Sequence, residues 1–232
     1  MAAATSLTDR SSGSIRDQGF YHGVSNLLLQ FALNIKILSQ IDDGKNYKCG
    51  AYALHAVLSY FGHQVEVDDI WNSISSPRPR TMQQFAYVYS LAQYSIKKGV
   101  QATIYKSKNI LQTLDKLDDM KQTAILVVAH KKPGDVIGHF IVYKGKKDGD
   151  YIFADSEFTK DRRISPIKMR DFCRATGPEV CGNILIVFGK AEKYRKCDYC
   201  ETEYPMVDYE TLANTLAGAI CCNCNQGVLI TP

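Results

Sequence analysis

The chain has 232 residues, of which 45% are hydrophobic, and it carries a formal net charge of +4. This length and composition are typical of a globular protein with one main domain and a small accessory unit. Its lysines and arginines are spread along the sequence, which disfavours nucleic-acid binding, and no apolar run reaches the roughly 18 residues that a membrane span requires.

Three segments are expected along the chain. Residues 1–18 are small, polar and rich in serine, which predicts a disordered leader without the apolar core of a Sec signal peptide. The main domain is expected at 19–189 and a small module at 190–232. The boundary falls in a charged linker between Gly189 and Lys196.

The first half of the main domain is predicted to be mainly helical. Apolar residues recur at helical spacing in several segments, and Gly62, Thr81 and Ser107 are the expected end or start signals of helices. Helices are therefore predicted at 50–61, 67–74, 81–97 and 110–117. Short strands are predicted at 34–38 and 101–105.

The second half of the main domain is predicted to be mainly strand. Apolar and β-branched runs indicate strands at 123–129, 140–143, 151–154 and 184–188. Asp148-Gly149 between two of these runs is typical of a hairpin turn. Helices followed by an antiparallel sheet predict the α+β class.

Three residues of this pattern are the components of a nucleophilic site. Cys49 precedes an apolar helix, whose positive N-terminal end favours a thiolate. His139 opens a predicted strand, and Asp155 ends the next one, where it can hold the imidazole ring. Each residue alone is more often structural, since a cysteine before a helix is commonly a small buried hydrophobe. Their order and placement together predict a Cys-His-Asp triad.

The same residues lie in segments that resemble the C39-like, papain-fold cysteine peptidases. Cys49-Gly50-Ala51 is similar to the family's Cys-Gly-Pro motif, and Gly138-His139-Phe140-Ile141-Val142 is similar to its Gly-His-Phe-Val-Val motif. Ala154-Asp155 matches the family's later acid, and the resemblance extends in pieces from Leu33 to Phe188. It implies a papain-like α+β fold, with Cys49 as the nucleophile, His139 as the general base and acid, and Asp155 as the orienting residue.

The resemblance also implies a glutamine that donates to the oxyanion, about six residues before the nucleophile. That position is Asp43, whose charge is unsuited to the task. Gln40 and Asn46 are the nearby amide candidates, and Gln40 is the residue that we assign. The backbone N–H of Cys49 is the expected second donor.

The predicted C-terminal module contains two Cys-x2-Cys pairs. The expected ligands of a structural zinc ion are Cys197, Cys200, Cys221 and Cys224, with Cys222 as an alternative to Cys221. A segment this short has too little apolar surface to fold without support, which favours a zinc-ribbon or knuckle-like site over two disulfides or free thiols. A helix is expected at 209–219, and the module is a possible docking site for a protein partner.

The predicted function is hydrolysis of a peptide or isopeptide bond through a thioester acyl-enzyme. Deamidation or transamidation would use the same residues. The alternative is a non-catalytic interaction protein on a degenerate peptidase fold, which binds a protein through its cleft or its zinc module. The cysteine usage predicts a reducing, cytoplasmic location, and export of an effector by a non-Sec route stays open.

Overall fold

The structure is a computed structural model that describes residues 33–40, 47–77, 83–132, 135–176 and 180–229. The predicted leader at 1–18, the predicted helix start at Thr81 and the amide candidate Asn46 lie outside these residues. Among the described residues, no helix combines the length and the apolar character needed to cross a membrane.

Six helices accompany a large sheet in the described residues, and α1 and α3 have the most contacts with it. They are α1 (Cys49–Tyr60), α2 (Val67–Ile74), α3 (Val88–Lys97), α4 (Ile110–Asp119), α5 (Pro166–Phe172) and α6 (Tyr209–Leu212). Helix α1 is buried along most of its length, because small residues such as Ala53 and Ala56 let neighbouring elements approach it closely. It contacts α2 and α3 on one side and the sheet on the other.

The strands form one eight-stranded sheet and two small hairpins. The strands are β1 (Ser75–Pro77), β2 (Gln84–Ala86), β3 (Gln101–Ser107), β4 (Ala124–Lys132), β5 (Asp135–Lys147), β6 (Asp150–Ala154), β7 (Arg162–Ile164), β8 (Ile184–Gly189), β9 (Ala191–Lys196), β10 (Glu203–Val207), β11 (Leu216–Ile220) and β12 (Gly227–Leu229). The large sheet has the order β12-β11-β3-β8-β4-β5-β6-β7, and every pair in it is antiparallel. The predicted α+β class is therefore confirmed.

Several predicted elements have the expected positions. Helix α2 has the predicted bounds, and α1 ends before Gly62, whose φ of +85° suits a glycine after a helix. Asp148 and Gly149 both have positive φ, as a two-residue hairpin turn between β5 and β6 requires.

Other predictions in the main domain are wrong. The segment 34–38 is irregular instead of a strand. The helix predicted at 81–97 begins only at Val88, because Phe85 pairs with Ser76 across the β1–β2 hairpin and its ring packs against Tyr87. Helix α4 is capped by Asn109, whose side chain accepts a hydrogen bond from the Gln112 N–H, while Ser107 stays in β3.

The C-terminal segment also differs from the predictions. The expected linker contains strand β9, which pairs with β10. The helix expected at 209–219 is limited to α6, and residues 216–220 instead form β11, which hydrogen-bonds to β3 of the main sheet. The division into 19–189 and 190–232 stays a prediction, but the two segments share one sheet.

Candidate active site

Cys49 occupies the first position of α1 and is 5% exposed. The N–H groups of a first helical turn have no acceptors within the helix, so they create a partial positive charge beside the sulfur. The next residue, Gly50, allows the close contact between α1 and β5. A Cβ atom at this position would lie 3.2 Å from both the Phe140 ring and the Cβ of Ala86.

His139 and Asp155 meet across the β5–β6 hairpin. His139 Nε2 lies 2.8 Å from Asp155 Oδ1, and both side chains are buried. Their meeting depends on a bulge at Lys144. Tyr143 pairs with Phe153, but Gly145 pairs with Ile152, so β5 contains one extra residue. If Lys144 were instead paired in a regular ladder from the turn, the register beyond it would shift by one residue, and His139 and Asp155 would lie on opposite faces of the sheet.

Asp155 is fully buried and accepts hydrogen bonds from three groups. Besides His139, the Glu157 N–H donates to Oδ1 at 3.0 Å, and Arg162 Nη1 donates to Oδ2 at 2.6 Å. Burial raises the pKa of Asp155, but His139, Arg162 and the Glu157 N–H outweigh it and lower the pKa to about 2. Asp155 is therefore ionised, and His139 Nε2 donates to it.

His139 itself lies between Asp155 and Cys49. Burial lowers the pKa of His139, but the charge on Cys49 and the hydrogen bonds to Asp155 and Cys49 together raise it well above its ordinary value. With Nε2 bonded to Asp155, Nδ1 is the ring nitrogen left for the sulfur. The arrangement places a histidine that can give and take a proton next to a cysteine sulfur, which is the pairing that a cysteine nucleophile needs.

Arg162 is the member of this site that no motif in the sequence indicates. Its guanidinium lies over the rings of Phe158 and Phe172, at 4.7 and 5.2 Å from their centroids. Its side chain is 21% exposed, and its partner Asp155 is fully buried. No local motif connects an arginine to an acid seven residues earlier, so only the β6–β7 pairing shows the contact.

Gln40 lies beside the residue that follows Asp155. The Gln40 N–H donates to the Ser156 carbonyl at 2.7 Å, and the Ser156 hydroxyl donates to Gln40 Oε1 at 3.3 Å. These hydrogen bonds place Gln40 at the acid's end of the site and leave its NH2 group as a donor. Both of these hydrogen bonds are with Ser156, and the role of Gln40 as oxyanion donor stays a prediction.

A cleft of about 750 Å³ opens beside Cys49. Its described lining is mostly aromatic and aliphatic and contains no charged side chain: Tyr47, Cys49, Gln83, Phe85, Ala86, Tyr87, Val88, Tyr89, Ile104, Val127, Ile137, Gly138, Phe140, Cys181, Ile184, Ile220 and Asn225. Strands β3, β4, β5, β8 and β11 each contribute a residue to this lining. The cleft therefore crosses the sheet from the candidate nucleophile to the C-terminal segment.

The structure also brings the four predicted metal ligands together. The sulfur atoms of Cys197, Cys200, Cys221 and Cys224 all lie within 4.8 Å of one another. Cys222 is not part of this group, so Cys221 is the better fit of the two alternatives. A protein partner at this segment stays a prediction.

The close contact at Gly50 gives a testable prediction. We expect Gly50→Ala to push α1 away from β5, since neither the Phe140 ring nor Ala86 has room for a methyl group. A displacement of Cys49 by about 1 Å lowers kcat by about 100-fold, and we expect a stability loss of about 1–3 kcal/mol. The control is Gly227→Ala, because no atom lies within 4 Å of a Cβ there. Equal kcat values for the two variants would contradict the prediction.

Comparison with known proteins identifies the family of this chain. A model of the Peptidase C39 family matches residues 37–171. No curated protein sequence matches the chain. Among solved structures, a C39-like peptidase from Bacillus anthracis is 17% identical, with a TM-score of 0.52, and the match covers 71% of this chain and 99% of that one.

Two transporter-derived peptidases are also similar, at TM-scores of 0.48. One is a double glycine motif protease from an AMS/PCAT transporter, solved with a leader peptide, which is 17% identical over 68% of this chain and 92% of its own. The other is the peptidase domain of Streptococcus ComA, which is 18% identical over 66% of this chain and 97% of its own. The Bacillus anthracis match confirms the predicted papain-like fold. Since the family model spans more than half of the sequence, the chain belongs to the Peptidase C39 family, a family of cysteine peptidases.

Proposed function

We propose that this chain hydrolyses a peptide or isopeptide bond with Cys49, His139 and Asp155 as its catalytic triad. The observation that carries the proposal is the buried His139–Asp155 contact of 2.8 Å, next to a cysteine at a helix start in an apolar cleft. A structural histidine has no need of a buried, ionised acid on one side and a thiol on the other. This combination is the one that a thiolate nucleophile requires.

The proposed reaction has two stages. The Cys49 sulfur attacks the carbonyl carbon, and His139 Nδ1–H gives its proton to the nitrogen of the leaving amine as the C–N bond breaks. The acyl group remains on sulfur as a thioester. Neutral His139 then accepts a proton from water as the water oxygen attacks the thioester carbon. The C–S bond breaks, the carboxylic acid is released, and the Cys49 thiolate and the His139 imidazolium are restored.

The negative oxygen of each tetrahedral intermediate needs hydrogen-bond donors. We assign this role to the backbone N–H of Cys49 and to the side-chain NH2 of Gln40. The Ser156 hydroxyl supports Gln40 by bonding to Oε1, which orients the amide so that its NH2 group points away from Ser156. Arg162 has a positioning role, since it touches Asp155 and not the reacting atoms.

The cleft suggests the class of substrate. Because the described residues that line it are uncharged and largely aromatic, we propose that apolar side chains of an extended peptide occupy it. A reducing, cytoplasmic location is proposed as well. All eight cysteines lie in the described part of the chain, and none of them forms a disulfide.

The test of the proposed function is selective alkylation with iodoacetamide at pH 6, followed by peptide mass mapping. We expect Cys49 to be modified in the wild type and to lose its reactivity in His139→Ala, because the imidazolium no longer stabilises the thiolate. Cys173 is an internal control, since burial raises its pKa to about 12. If Cys49 is not labelled, or is labelled equally in the wild type and in His139→Ala, the result would favour a non-catalytic interaction protein.

The reaction type is settled by incubation with a library of apolar peptides and by mass spectrometry of the products. Cleavage gives two fragments that together contain one added water. A peptide of unchanged length that has lost ammonia and gained water indicates deamidation, and a new adduct with an amine indicates transamidation. Deamidation or transamidation would be consistent with the proposed triad but would contradict the proposed hydrolysis of a peptide or isopeptide bond.

A further inference from the structure

The four clustered cysteines have the spacing of a tetrahedral metal site. The Cys197 and Cys224 sulfurs are 3.6 Å apart, and the Cys200 and Cys221 sulfurs are 3.7 Å apart. Four sulfurs at about 2.3 Å from a central zinc ion define a tetrahedron with edges of about 3.8 Å. A disulfide would need about 2.05 Å, so the observed separations match shared ligation of one ion.

The backbone around the two cysteine pairs repeats the same turn. The Glu201 N–H donates to the Cys197 carbonyl, and the Asn225 N–H donates to the Cys221 carbonyl, in each case from four residues later. Cys197 and Cys221 in turn donate to the residues five positions after them. Glu201 and Asn225 each have a φ of +59°. The two cysteine pairs therefore adopt the same turn, with a ligand at its first and fourth positions. Cys221 and Cys224 occupy these positions in the second turn, and Cys222 does not.

Hydrogen bonds to sulfur reinforce this arrangement. The Asn223 N–H points to the Cys221 sulfur at 3.4 Å, and the Asn223 side chain lies 3.6 Å from the Cys200 sulfur and 3.1 Å from the Thr202 hydroxyl. Such donors orient thiolate ligands and reduce their negative charge. Asn223 thus links the two turns without being a ligand.

The metal-binding turns are continuous with the cleft beside Cys49. Ile220 lines the cleft and immediately precedes Cys221. Asn225 also lines the cleft and is the positive-φ residue of the same turn. Through β11, Ile220 pairs with Ile104 of β3, which is another lining residue. The position of this wall therefore depends on the turn that begins at Cys221.

We propose that Cys197, Cys200, Cys221 and Cys224 bind one zinc ion, and that this ion holds the cleft wall formed by Ile220 and Asn225 in place. With four protein ligands, the ion has no open position and does not act on the substrate. Its effect on peptide hydrolysis is to preserve the substrate-binding surface. The proposed metal site depends only on the positions of the four sulfur atoms. Its role in the cleft rests on the proposed function.

The metal site is tested by the zinc content of the full chain, purified without chelator. We expect about one zinc ion per chain in the wild type and in Cys222→Ser, and loss of zinc in Cys224→Ser. Protein expressed with cobalt should show the visible absorption bands of tetrahedral cobalt–thiolate coordination, a readout that needs no variant. A wild type that contains neither metal, or whose intact mass shows lost thiol hydrogens from disulfides, would overturn the site.

The role in the cleft is tested by removing zinc from the wild type with a strong chelator. We expect amide hydrogen exchange of residues 216–220 to accelerate by about tenfold or more, while exchange in β6 stays unchanged. KM for an apolar peptide should rise, but the iodoacetamide reactivity of Cys49 should persist, because the triad lies on α1, β5 and β6. Unchanged exchange at 216–220 after zinc loss would overturn this role.

The two proposals fail in different ways. If no peptide is cleaved and Cys49 is inert, the proposed function is wrong, but the zinc content and the exchange of β11 still decide the metal proposal. If Cys49 is reactive and peptides are cleaved, but the wild type purified without chelator contains no metal, only the metal proposal is wrong.

Discussion

Replacement of Cys49 by alanine is expected to lower kcat by about 10⁴-fold or more. In the proposed mechanism the sulfur is the protein atom that bonds to the acyl carbon, so its loss removes the thioester route entirely. The residual rate comes from substrate binding and from the oxyanion donors, which the variant retains. The measurement is single-turnover cleavage of a peptide found in the library experiment.

The control for this variant is Cys173→Ala. Cys173 is as buried as Cys49, at 1% against 5% exposure, but it lies after α5 and away from the cleft. Both variants remove one buried sulfur, so a general loss of stability would affect them alike. Substantial cleavage by Cys49→Ala, with kcat within tenfold of Cys173→Ala, would show that another residue is the nucleophile.

The second large effect is expected at Asp155. Its replacement by alanine leaves Arg162 and the ring of His139 without their shared acceptor in a buried site. Removal of one partner from a buried ionic group costs about 3–5 kcal/mol of unfolding free energy. We also expect kcat to fall by about 10²- to 10⁴-fold, because His139 is no longer held for proton transfer.

Asp155→Asn separates orientation from charge. The amide oxygen can still accept a hydrogen bond from His139 Nε2, so we expect this variant to retain more activity than the alanine variant. The pKa of His139 should fall, since a charge that raises it is lost. The imidazolium exists below that pKa. Its stabilisation of the Cys49 thiolate should therefore end at a lower pH than in the wild type. The pH profile of Cys49 alkylation measures this shift.

A matched control for the Asp155 variants lies on the same two strands. Asp150 in β6 pairs with Arg163 in β7 at 3.4 Å, but both side chains are partly exposed. An exposed ion pair contributes about 0–1 kcal/mol, so Asp150→Ala should have little effect on stability or kcat. Equal losses in unfolding free energy for Asp150→Ala and Asp155→Ala would mean that Asp155 has no special structural role.

The pKa shifts of Asp155 and His139 determine how the stability of the folded protein depends on pH. The pKa of Asp155 is lowered on folding from 3.8 to about 2, so its contribution is present above pH 3.8 and is lost as the pH falls through about 2. The contribution of His139 has the opposite sign, because folding raises its pKa. It is present below pH 6.5 and is lost at alkaline pH. Both contributions are therefore fully present between pH 3.8 and 6.5.

Local patterns in the sequence were sufficient for several elements. The bounds of α2 and the Asp148-Gly149 turn depend on apolar spacing and on turn residues within a few positions, so they were predicted correctly. The position of Cys49 at the start of α1 also follows from local signals. The predictions for its two partners are less accurate, because His139 lies inside β5 instead of opening it and Asp155 directly follows β6. The chemistry of these three residues suggested a triad, and the structure brings His139 and Asp155 into contact.

The sequence alone thus determined which residues are available for catalysis and metal binding, and the tertiary structure decided how they meet. Because Lys144 stays out of the ladder, the register beyond it places His139 and Asp155 on the same face, and nothing in the local sequence marks that bulge. The contact of Arg162 with Asp155 and the pairing of β11 with β3 likewise connect residues that are apart in the chain. These features arise from strand register and long-range packing, whose free energies depend on partners that a local pattern does not contain.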